Sequence, residues 1–178
     1  MTEEEVLSSE FIYEGRAFTV RVDTIKTADG RETTRDIIEH SECVAIVAID
    51  PDDKILMVNQ YRPPVGKQLL EIPAGGIDGD ETPIDAVRRE MQEETGYLPG
   101  RIEKLGGFYS APGFCTEYLH LYLATELVPS RLIAEDTDSI TLARISPGEI
   151  TELIKSGEIC DAKSIAGLLT WLDTRKSN

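Results

Sequence analysis

Three glutamates within five residues, Glu90, Glu93 and Glu94, form the group in this sequence best suited to chemistry. Residues three and four apart share a helix face, so on a helix these carboxylates fall within about 100° of arc. An apolar stripe of Ile84, Val87 and Met91 runs beside them. Carboxylates that close repel one another unless a cation lies among them. A hard divalent ion such as Mg²⁺ takes oxygen ligands and keeps part of its water shell for phosphate groups. The pattern points to a metal site for phosphate chemistry.

The helix that must carry these acids is marked at both ends. Thr82-Pro83-Ile84-Asp85 offers a capping hydroxyl, a proline at the first helical position and an acid in the first turn, where the macrodipole favours negative charge. Gly96 supplies the stop, because glycine accepts the left-handed conformation that ends a helix. A helix over about Pro83 to Thr95 follows. Ahead of it, Ile72-Pro73-Ala74-Gly75-Gly76 reads as a strand end in a sharp turn, which brings the Ala74 carbonyl toward the carboxylate face as a further oxygen donor.

Taken together, Gly75, five residues, Glu81, seven residues and Arg89-Glu90-Met91-Gln92-Glu93-Glu94-Thr95-Gly96-Tyr97 resemble the Nudix box, G-x5-E-x7-R-E-U-x-E-E-x-G-U, with U a bulky apolar residue. Every fixed position matches, and Tyr97 stands where an aliphatic residue is usual. A second segment, Tyr109-Ser110-Ala111-Pro112-Gly113-Phe114-Cys115-Thr116-Glu117, places Pro112 sixteen residues beyond Gly96. That spacing is similar to the ADP-ribose pyrophosphatase branch of the family. Gln60-Tyr61-Arg62-Pro63 and Asp161-Ala162-Lys163-Ser164 lean the same way, so the resemblance runs from about Phe11 to Trp171.

Composition fits such an enzyme. A chain of 178 residues with 40% apolar content can bury a proper core, and its apolar runs are too short to span a bilayer. The acidic Met1-Thr2-Glu3-Glu4-Glu5 start is unlike a signal peptide. Three scattered cysteines, Cys43, Cys115 and Cys160, have no metal spacing and indicate a reduced cytoplasm, with Cys43 in a strand core. The net charge of −15 argues against a nucleic-acid partner. An anionic substrate must then meet a locally positive pocket made by the bound ion and a few arginines, of which Arg62, Arg35 and Arg31 are best placed. His40 and His120 are not needed as ligands, and no G-x-S-x-G elbow supports serine catalysis.

Strands are expected at Phe18 to Lys26 and Thr33 to His40, joined by Ala28-Asp29-Gly30-Arg31 as an N-terminal antiparallel β-hairpin. Further strands are expected at Val44 to Ile49, Lys54 to Tyr61, Ile102 to Tyr109, Tyr118 to Thr125 and Ile140 to Ile145, with closing helices at Pro147 to Lys155 and Asp161 to Asp173. The class is mixed α/β (α+β): the Nudix fold, with mixed β-sheets between helices. Residues 1–42 form an N-terminal region and residues 43–178 the hydrolase domain.

The resemblance implies Mg²⁺-dependent, or Mn²⁺-dependent, hydrolysis of ADP-ribose to AMP and ribose 5-phosphate. It leaves open another nucleotide sugar or a dinucleotide as substrate, and a non-catalytic nucleotide-sugar sensor. The implied metal ligands are the Ala74 carbonyl, Glu90, Glu93, Glu94 and Asp138, with Arg89 and Glu81 bracing the loop and helix as an ion pair. Asp136 stands at the position of the general base, which could pass to Glu135 or Glu93. Arg35, Arg62, Pro112 and Glu117 face the substrate, Glu117 near its terminal ribose. The resemblance also implies a homodimer whose N-terminal strands complete the partner's adenosine pocket. The N-terminal half has no tryptophan, so adenine stacking falls to Phe18, Phe11, Tyr13 or Tyr61.

Overall fold

The structure, a computed structural model, describes residues 4–134 and 139–176. It divides into two compact units, one of Met1–Glu42 with Tyr109–Tyr118 and one of Cys43–Phe108 with Leu119–Asn178.

The first unit is a three-stranded antiparallel sheet in the order β1 (Glu5–Glu14), β2 (Thr19–Lys26), β3 (Glu32–Glu39). The expected hairpin is β2 with β3, turned at Gly30, whose φ of 85° suits glycine. β1 adds a strand that the sequence pattern does not announce, because all ten of its residues are exposed and none alternates toward a core. The 109–118 segment joins this sheet: the Ile38 amide donates to the Phe114 carbonyl at 2.7 Å and the Thr116 amide to the Ile38 carbonyl at 3.0 Å.

The second unit is built on a mixed sheet ordered β10 (Thr141–Ile145), β5 (Ile55–Arg62), β4 (Cys43–Ile49), β9 (Tyr118–Pro129), β8 (Tyr97–Tyr109). β6 (Lys67–Glu71) pairs with β5, and β7 (Ala74–Gly76) with β4. β4 runs parallel to β9 and antiparallel to β5 and β7. It is an almost unbroken apolar run because both its faces are covered. Ala45 and Val47 pack with Met57, Ile72, Leu121, Leu168 and Trp171 under α2 (Ile150–Ser156) and α3 (Ala162–Lys176). Val44, Ile46 and Ala48 pack with Leu56, Ala86, Val87 and Met91 under α1 (Pro83–Glu90). Gly167 permits the close fit of α3, since a Cβ there would lie 2.8 Å from Ile72 Cδ1. Trp171 is 4% exposed, with the Arg175 guanidinium 5.0 Å from its ring centre.

Two expectations about the acid-bearing helix need correction. Its span is as expected, but only Pro83–Glu90 is α-helical, and Met91–Thr95 widens into a π turn. The apolar stripe is Ala86, Val87 and Met91, all fully buried, whereas Ile84 is 43% exposed. Ile84 lies in the first turn and is not part of the cluster that packs under α1.

Candidate active site

Local chemistry sets the helix start. The Thr82 hydroxyl accepts from the Asp85 amide at 3.2 Å, Pro83 needs no donor there, and Asp85 lies in the first turn. Gly96 ends it at φ 78°, as the capping argument requires.

Arg89 is the hub of the loop and helix. Its Nε donates to Glu81 Oε1 at 3.0 Å and its Nη2 to Glu81 Oε2 at 2.9 Å. The same Nη2 reaches the Gly76 carbonyl at 2.7 Å, while Nη1 donates to Glu90 Oε1 at 2.5 Å and lies 3.4 Å from Glu93 Oε2. The expected Arg89 and Glu81 brace is therefore present, as a forked pair that also grips the Gly76 backbone. The hydrogen bonds to Arg89 hold the Glu81 carboxyl below its usual range.

The Glu90 carboxylate occupies the space where a side chain at Gly75 would begin: a Cβ there would overlap it. This explains the glycine that opens the motif. Glu90 is 8% exposed, and burial pushes its carboxyl up despite Arg89. Glu94, partly buried, accepts from the Ala74 amide at 3.0 Å. Burial, and then the neighbouring Glu90 charge, push its carboxyl up to about 8, against the Ala74 amide, Lys163 and Arg62. Two acids, Glu90 buried and Glu94 partly buried, thus have too little positive charge beside them to ionise easily. Hard carboxylate oxygens under that strain fit a divalent cation.

Behind Glu94 lies a residue that the sequence reasoning passed over. Glu71, 1% exposed, accepts from Arg62 Nε at 2.8 Å and Arg62 Nη2 at 2.7 Å, and from Lys163 Nζ. Burial raises its carboxyl, but the two cations bring the balance below the usual range. Lys163 also donates to Asp161 Oδ1 at 2.9 Å, and the Ile72 amide donates to the Ser164 hydroxyl at 2.8 Å. β6, the Ala74 turn and α3 are pinned together at the edge of the site. The available signal was an acid inside the apolar stretch Leu69-Leu70-Glu71-Ile72, which strand burial tolerates only with a partner.

The other expected residues are distributed as follows. Arg62 is committed to Glu71. In the first unit, Arg35 pairs with Glu4 at 2.6 Å and lines a cavity of about 320 Å³ with Arg21, Pro112, Phe114 and Thr116. Glu117 lies 3.8 Å from His40 Nδ1. Arg31 pairs with Asp29 on the exposed turn. Asp136 and Asp138 lie outside the described residues. Cys43 is buried as expected, and none of the three cysteines is in a disulfide.

A model of the Nudix domain matches residues 39–168. The chain belongs to the Nudix family. Residues 4–38 match a second model, the nucleoside diphosphate sugar hydrolase N-terminal domain. The ADP-ribose pyrophosphatase of Bacillus subtilis is 32% identical over 91% of this chain and 89% of its own length. A protein named methanol dehydrogenase activator from Bacillus methanolicus is 36% identical over 92% and 89%. A solved structure of an ADP compounds hydrolase shares the fold, with a TM-score of 0.91 over 99% of this chain and 96% of its own, at 21% identity. The expectation of a mixed α/β Nudix fold is borne out. Among the described residues no helix is long and apolar enough to cross a membrane.

Proposed function

We propose that this Nudix hydrolase cleaves the pyrophosphate bond of a nucleoside diphosphate sugar, with ADP-ribose going to AMP and ribose 5-phosphate. The observation that carries the reading is the pair Glu90 and Glu94, the first buried against Gly75 and the second partly buried on the Ala74 amide, both resisting ionisation. These two, with Glu93 and the Ala74 carbonyl, would hold Mg²⁺ or Mn²⁺, and Asp138 would add a ligand. When bound, such an ion supplies the positive charge that a pyrophosphate needs to accept a nucleophile and release a phosphate.

The chain's own groups do the rest. Arg89 fixes where the Glu90 and Glu93 carboxylates stand, through a guanidinium whose donors are all directed inward along the loop and helix. Asp136 takes the proton from the attacking water, with Glu93 as the alternative base. Arg35, Arg62, Pro112 and Glu117 contact the substrate. Support for a sugar nucleotide comes from the N-terminal model match. Support for a homodimer comes from β1, an edge strand exposing Val6, Leu7, Phe11, Ile12 and Tyr13, each at least 45% accessible. Cysteines that form no disulfide support a place in the cytoplasm.

The test is a panel of nucleoside diphosphate sugars and dinucleotides with Mg²⁺, with nucleotide release measured by chromatography. ADP-ribose should give AMP at the highest kcat/KM. Preference for a guanosine or uridine sugar would move the substrate within the class, and binding without turnover would leave a sensor. Sedimentation should show a dimer, and a fully active monomer would remove the shared pocket.

A further inference from the structure

The motif leaves the residue between Met91 and Glu93 unspecified, yet here it is the most connected polar residue of the π turn. Gln92 Nε2 donates to the Ser130 hydroxyl at 2.8 Å. Its main-chain carbonyl accepts from the Gly96 amide at 3.2 Å and from the Leu132 amide at 3.3 Å. The Ser130 amide closes the set by donating to the Gly96 carbonyl at 2.9 Å. Three of these hydrogen bonds fasten residues 130–132, just past β9, to the turn that carries Glu93 and Glu94 and to its glycine cap, and the Gly96 amide bond closes the turn itself.

The last turn of a helix has carbonyls with no partner inside it and frays readily. This turn is also widened, and it carries Glu93 and Glu94 close behind Glu90, the last residue of α1, so that like charges crowd together. Left alone, it would open and separate the two carboxylates. The strand end that holds it is itself anchored, since Leu127 packs in the same cluster as Val87 and Met91. Wide turns inside helices recur at functional sites, and here the contacts that stabilise one are visible.

We infer that Gln92 is a positioning residue: with Ser130 it clasps the π turn to the end of β9 and so keeps Glu93 and Glu94 in register with Glu90 for the cation. Gln92 does not touch the ion or the substrate. The inference rests on the metal-site reading given above, so the test carries a control for that reading.

The test compares Gln92→Ala, Ser130→Ala, the double variant, Ser130→Thr and Glu94→Gln with the parent. Three quantities are measured: Mn²⁺ affinity by calorimetry without substrate, Leu132 amide exchange in the ion-free protein, and kcat with KM. Gln92→Ala and Ser130→Ala should each weaken Mn²⁺ about tenfold, expose the Leu132 amide and lower kcat about tenfold with KM within about twofold. The double variant should be no worse than the poorer single, and Ser130→Thr, which keeps the hydroxyl, should behave as the parent. If Gln92→Ala fails to fold, Ser130→Ala decides alone. Unchanged Mn²⁺ affinity in the clasp variants, with affinity lost in Glu94→Gln, overturns the clasp. Unchanged affinity in Glu94→Gln as well overturns the metal site, and the clasp with it.

Discussion

Replacing Glu94 by Gln should stabilise the ion-free protein and disable the enzyme. In the native state the Glu94 carboxyl ionises near 8 instead of near 4.5, because it is buried beside Glu90. Below pH 4.5 native and unfolded chains both hold the proton, and no penalty exists. Between 4.5 and 8 the unfolded chain ionises first, so the native state binds more protons and stability falls as pH rises. Above 8 the loss is complete. At about 1.4 kcal/mol per pH unit the limit is ~5 kcal/mol. Solvent at the partly open rim relieves part of it, leaving ~2–3 kcal/mol. Glutamine keeps an oxygen for the Ala74 amide and has no charge to bury. In EDTA, calorimetric melts at about pH 8.5 should place Glu94→Gln roughly 5–10 °C above the parent, at about 2–4 °C per kcal/mol for a chain of this size. Near pH 5 the two should agree within ~2 °C. Millimolar Mg²⁺ should raise the parent, as an ion bound only by the native state must, and leave the variant unmoved, while turnover falls at least about a hundredfold. A variant that melts below the parent in EDTA at about pH 8.5 would refute the reasoning.

Other perturbations probe the remaining parts. Gly75→Ala places a methyl on the Glu90 carboxylate, and should cut kcat about a hundredfold and weaken Mn²⁺ binding, measured by titration calorimetry, with little change in the ion-free melt. Glu71→Gln leaves Arg62 and Lys163 short of their buried partner, and should cost ~2–4 kcal/mol in urea unfolding. Asp136→Asn should lower kcat about a hundredfold with an unchanged Mg²⁺ requirement if it is the base, whereas Asp138→Asn should raise that requirement. Parent-like behaviour of both would move the base to Glu93.

What could be read from the sequence was whatever local chemistry decides. The Thr82 cap, Pro83 and Gly96 delimit a helix through bonds made within a few residues, and Arg89 meets Glu81 across one loop. β4 was legible because burial on both faces forces a continuous apolar run. Features set by distant partners were not. The π turn is fastened from Ser130, 38 residues on, and Glu71 is matched by Lys163, 92 residues on. β1 carries no alternation because neither of its faces meets a core.

Trp171, the single tryptophan of the chain, makes intrinsic fluorescence a selective instrument for this protein. Its indole lies under α3 against Val47 and Leu121 with a guanidinium over its ring, so emission at long wavelength records the loosening of that one layer. The three-stranded unit contributes only tyrosine and phenylalanine to the optical signal. A melt followed by tryptophan emission would therefore pass over an earlier opening of the first unit, and circular dichroism recorded beside it would separate the two events.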